Sequence, residues 1–180
     1  TLHFRQENVH DFAWFADKRW NVLKGEVKIP GTDEAITSWA FFTNAEANYW
    51  KKVPEHLHDA IQYFSRWIGP YPYSSVTAVD VTKASGDGME YPMITAIGSY
   101  GDPFELEEAV VHEVAHNWFY GIVGNNERKH GWMDESVTNF YETRYLYTKH
   151  ADDSSMQEEI FVKMGKQGKF FGMEKMNHRE

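Results

Sequence analysis

The chain has 180 residues, a formal net charge of −9 and no cysteine. That length holds one domain with a real core, or one domain and part of another. The acidic balance disfavours a surface that neutralises phosphate backbones, so nucleic acid is not an expected partner. Without cysteine there are no disulfides and no thiolate-ligated metal, although this alone does not separate a cytoplasmic from an exported protein.

Hydrophobic residues make up 42% of the chain and aromatic ones 16%, enough for a packed globule. No run approaches the roughly 18 uninterrupted apolar residues of a membrane-spanning helix. The opening TLHFRQENVHDFAWF has neither an initiator methionine nor a signal-peptide layout, and reads as an excised piece of a longer chain. Val22 to Ile29 and Ile36 to Phe42 are expected strands, separated by the turn residues Pro30, Gly31 and Asp33.

From Asn44 the pattern changes to a helical period, with Trp50, Val53, Leu57, Ala60, Ile61, Phe64 and Ile68 recurring at three and four residue steps until Gly69 and Pro70. Val76 to Val81 and Met93 to Ile97 read as strands around a turn region at Gly86 and Gly88. Glu105 to Tyr120 is an expected helix, acidic in its first turn, with Val110, Val111, Val114, Ala115 and Trp118 on its apolar side. A further helix is expected over 134–149 and another around 156–164, followed by a tail of glycines and charges.

The chemistry concentrates in His112-Glu113-Val114-Ala115-His116. On a helix, four residues turn the chain by about 400° and advance it about 6 Å, so the two imidazoles share one face and converge on one ion. Glu113 flanks that ion without having to bind it, the position of a general base acting on a water. At this chain's His and Glu frequencies, such a match is expected by chance only about 0.04 times.

Catalytic zinc takes three protein ligands and keeps an open position. Glu135, at the expected start of the helix after a connecting loop, is the candidate third ligand. Two rows of aromatics invite a plainer reading: Tyr141 and Tyr145 are expected to pack rather than catalyse. His56 and His58 lie two apart on a helix and diverge, while His3, His10, His150 and His178 lack a partner at chelating spacing. His130, in the connecting loop, is expected to face solvent.

HEVAH followed by Glu135, the surrounding Gly131-Trp132-Met133-Asp134-Glu135-Ser136, and Gly88-Met89-Glu90-Tyr91-Pro92 together resemble the M1 metallopeptidases, zinc aminopeptidases related to leukotriene A4 hydrolase. The resemblance implies an α+β fold. Residues 1–43 would be the end of a β-rich N-terminal domain, and 44–180 a thermolysin-like catalytic domain truncated at its C-terminus.

It also implies one Zn2+ held by His112, His116 and Glu135, with Glu113 as base and Glu142 supporting a ligand imidazole. Glu90 would hold the free α-amino group of a peptide substrate, beside Gly88 and Met89 of the same motif. The oxyanion-stabilising tyrosine of the family would fall beyond residue 180. Tyr91 stands where the family usually has asparagine. The leading expectation is removal of N-terminal residues from peptides; the alternatives are a zinc endopeptidase with the same ligands and a catalytically incompetent zinc-bearing interaction module.

Overall fold

The computed structural model describes residues 1–85 and 88–166. Gly86, half of the expected turn region, and the glycine-rich tail beyond residue 166 lie outside the described residues. Among the described residues no helix is long and apolar enough to cross a membrane.

The β-branched and aromatic stretches near the start form β1 (Asn21–Lys28) and β2 (Ala35–Phe42), paired antiparallel. The chain reverses between them through Ile29–Thr32, where Pro30 presets one turn residue and Gly31, at φ 80°, supplies the left-handed one. Alternation along β2 places Ile36, Ser38, Ala40 and Phe42 on the buried face.

The helical period beginning at Asn44 is realised as two helices, α1 (Ala47–Trp50) and α2 (Val53–Trp67). The reason for the break is Pro54: lacking a backbone N–H, it fits the first turn of α2 and not the interior of a longer helix.

Next come β3 (Ser75–Ser85), β4 (Gly88–Met89) and β5 (Ile94–Ser99). They complete a five-stranded sheet in the order β1-β2-β3-β5-β4, with β2, β3 and β5 parallel and β4 antiparallel at the edge. Strands on both sides of residue 43 therefore share one sheet. Pro92 sits in the turn that joins the edge strand β4 to β5.

Helix α3 (Pro103–His116) starts cleanly because the Asp102 carboxylate accepts from the Phe104 and Glu105 amides, and Pro103 occupies the first turn. The expected continuation to Tyr120 exists, but as a π-helical segment, Asn117–Ile122. A short α4 (Glu127–Gly131) and a second π-helical segment, Trp132–Ser136, lead into α5 (Val137–Lys149), and α6 (Ser154–Lys166) follows. The mixture of sheet and helices is an α+β arrangement.

The core lies where α2 and α3 meet the sheet, filled by Leu57, Ile61, Phe64, Ile97, Leu106, Val110, Val114 and Trp118. Tyr145 is fully buried against Phe64 and Tyr63 and donates to Glu107 Oε1 at 2.8 Å. Tyr141 stacks on Phe119. His56 and His58 do diverge: His58 is exposed, whereas His56 is buried 3.7 Å from Glu107, and burial lowers its pKa.

Candidate metal centre

Helix α3 carries His112 and His116 on one face, and their Nε2 atoms lie 3.1 Å apart. Glu135 arrives from the second π-helical segment, its Oε2 3.3 Å from His112 Nε2 and 3.8 Å from His116 Nε2. Tetrahedral ligation with bonds of about 2.1 Å sets donors about 3.4 Å apart, and the three measured edges bracket that value. The donor set, two imidazoles and a carboxylate, is one that zinc accepts while keeping a position free.

Each imidazole is held from behind. Glu142 Oε2 lies 2.8 Å from His112 Nδ1, and Asp134 Oδ1 lies 2.6 Å from His116 Nδ1, with Thr138 Oγ1 at 3.3 Å from the same nitrogen. A neutral imidazole that donates Nδ1–H to a carboxylate keeps its Nε2 lone pair for a cation. Glu142 and Asp134 are both fully buried, so the two rings have little freedom to turn. Burial opposes a charged His112 ring, yet the Glu135 and Glu142 carboxylates outweigh it and hold the pKa at about 10. The pocket is built for positive charge.

Removing either support is expected to weaken zinc binding about 10- to 100-fold, the usual cost of losing a carboxylate behind a ligating histidine. Competition with a chelator, read separately in Asp134→Ala and Glu142→Ala, measures that change.

Glu113 faces the other side of the ligand group. It is buried, and among the described residues its Oε2 has no hydrogen-bond partner. Burial raises its pKa to about 7, with the histidines of the helix opposing the rise and Glu90 and Glu135 adding to it. A carboxyl poised there exchanges protons readily near neutrality.

The edge strand β4 supplies the opposite wall. Gly88 pairs with Ile97 and Met89 with Ala96, and Glu90 follows immediately, buried. Polar atoms of Glu90, Glu113 and His116 lie within 4.8 Å of one another, as do those of Glu90, Glu127 and Asp134. Burial raises the Glu90 pKa to about 7, and the acids Glu127 and Asp134 push in the same direction. Tyr120, against the ring of His10, stands near the same acids; burial first, then their charge, pushes its phenol up to about 12.

Of the residues expected from sequence, His112, Glu113, His116, Glu135, Glu142, Glu90 and Gly88 are thus brought together by α3, the second π-helical segment, α5 and β4, and Met89 joins Gly88 to Glu90. His130 lies in α4 at a break in helical geometry and is exposed. Sequence reasoning missed Asp134, whose one available signal was its place directly before Glu135. It also missed Glu127, which carries no spacing signal at all.

The chain matches no protein-family profile. Its fold is similar to the M1 zinc metallopeptidase of Deinococcus radiodurans, with a TM-score of 0.57 and 16% identity over 80% of this chain and 33% of that one. A two-domain M1 zinc metallopeptidase variant bound to L-arginine matches with a TM-score of 0.58 and 15% identity, over 81% of this chain and 32% of that one. Aminopeptidase A of Legionella pneumophila, in complex with aspartic acid, matches with a TM-score of 0.58 and 12% identity, over 72% of this chain and 16% of that one. At these identities the likeness is one of fold, and the chain spans about a third or less of the length of these proteins.

Proposed function

We propose that this chain carries the metal-binding core of an M1-like, thermolysin-like zinc peptidase that removes N-terminal residues from peptides. One observation carries the reading: His112 Nε2, His116 Nε2 and Glu135 Oε2 converge at 3.1 to 3.8 Å, with both Nδ1 atoms tied to buried carboxylates and alongside them a buried Glu113 oxygen that has no partner among the described residues. When bound there, one Zn2+ supplies Lewis acidity, polarising a scissile carbonyl and bringing the pKa of a water from about 15.7 toward 7.

The rest is done by the chain's own groups. Glu113 takes a proton from the attacking water at its free oxygen and returns it to the departing amine. Glu142 and Asp134 keep the imidazoles in the ligating tautomer. Glu90, buried beside the cleft, binds the substrate's α-ammonium, with Glu127 and Asp134 adding negative charge around it. Among the described residues β4 is an edge strand, the place where an extended peptide can add to a sheet. Peptides with free N-termini are the expected substrates.

The test compares a short peptide with its N-acetylated form on the zinc-loaded protein. The free peptide is expected to be cleaved preferentially, and Glu90→Gln to lose most of that preference. Equal cleavage of both forms by the wild type would instead favour an endopeptidase.

A further inference from the structure

We infer that Asn117 is a positioning residue for Glu90, acting through a strained turn at Met93. The inference rests on Glu90 being the amine anchor.

Directly after Glu90, residues Tyr91–Ile94 form a tight turn closed by Ile94 N–H donating to Tyr91 O at 3.1 Å. Pro92 occupies its second position, and Met93 its third at φ 69°. That is the turn geometry whose third position favours glycine, because a side chain in the left-handed region crowds its own backbone. The chain uses the expected solution elsewhere: Ile29–Thr32 has the same closure with Pro30 and Gly31 in those places. At Met93 something else must hold the conformation.

Asn117 does so from the end of α3, where the π-helical segment begins. It is buried, it follows His116 directly, and its Oδ1 accepts from Met93 N–H at 3.0 Å. Its Nδ2 donates to Val114 O at 2.9 Å, which fixes the orientation of the amide, and Tyr71 Oη, which donates to Ser75 O at 3.0 Å, lies 3.4 Å from the same Oδ1. On the far side Met93 O accepts from Thr77 N–H at 2.8 Å, and Met89 O accepts from Thr95 Oγ1 at 3.0 Å. Glu90 therefore hangs between two fixed points. One of them, the turn, is tied to the residue directly after His116, which sets the backbone at Glu90 relative to that histidine.

The consequence is a specific genetic interaction. Asn117→Ala frees a turn that methionine does not favour, whereas Met93→Gly makes the same turn intrinsically favourable and removes the need for Asn117. Dissociation constants are measured for a tripeptide and its N-acetylated form on the zinc-loaded protein in a Glu113→Gln background, which prevents turnover. Asn117→Ala is expected to cut the preference for the free amine about tenfold with zinc content unchanged. Adding Met93→Gly is expected to restore it.

Preference retained in Asn117→Ala, or lost but not restored by Met93→Gly, would overturn the inference. Should Asn117→Ala not fold, the turn is tested from its other side. Met93→Val, a branched residue at positive φ, is expected to lose the preference and Met93→Gly to keep it, and equal behaviour of the two overturns the inference. A parent protein indifferent to N-acetylation overturns the amine-anchor reading together with it; a selective parent whose selectivity survives these changes overturns this inference alone.

Discussion

Glu113→Gln is expected to lower peptide cleavage by about 10²- to 10⁴-fold while leaving zinc bound, the range that a positioned proton carrier contributes. In free energy this is about 3 to 5 kcal/mol of the barrier. The change is nearly isosteric, and Glu113 lies outside the proposed ligand group of His112, His116 and Glu135, so that group is left intact. What disappears is a carboxyl whose buried oxygen has no partner among the described residues and whose pKa, raised by burial to about 7, suits proton exchange near neutrality. Steady-state rates and zinc content measured on the same preparations separate the two effects. Loss of zinc in this variant would move Glu113 from the base to the ligand set.

Gly88→Ala is expected to cost about 100-fold in cleavage, through the base rather than through substrate contacts. A β-carbon at Gly88 would overlap Glu113 Oε1 and lie 2.5 Å from its Cδ and 2.9 Å from its Cγ. Real side-chain carbons do not approach so closely, so the carboxyl must leave its place or the edge strand must move. Gly88 lies in β4 opposite Ile97, and the pairing resists movement of the strand. Glu113 gives way first, and a general base displaced by about 1 Å loses most of its effect. The kinetic signature is a fall in kcat with little change in zinc affinity. An unchanged kcat would show that Glu113 reaches the water from another rotamer.

The meeting of His112 and His116 was legible because its signal is local: they need only one helical turn to converge, although α3 starts at Pro103, two residues before the expected Glu105. Glu135 was legible from its place after the connecting loop and from the family pattern around it. The way it arrives was not. A π-helical segment at Trp132–Ser136 rotates Glu135 toward the histidines and turns Asp134 toward His116 Nδ1, and no spacing rule announces a π-helical segment.

Asn117 was likewise invisible. Its partner Met93 is 24 residues away, and the strain it relieves exists only once the chain has turned at Pro92. The sheet shows the same limit. The two strands before residue 43 read clearly as strands, but the parallel pairing of β2 with β3 depends on partners separated by two helices, which alternation along a strand does not encode. Pro54 could have signalled the split between α1 and α2, since a proline ten residues into a helical period belongs at a helix start.

Zinc content after extensive dialysis tests the proposed three-ligand centre most directly. The parent chain is predicted to retain close to one zinc per chain, with His116→Ala and Glu135→Ala each losing it. Full zinc retained in both variants would contradict the ligand assignment and, with it, the peptidase mechanism built on that centre.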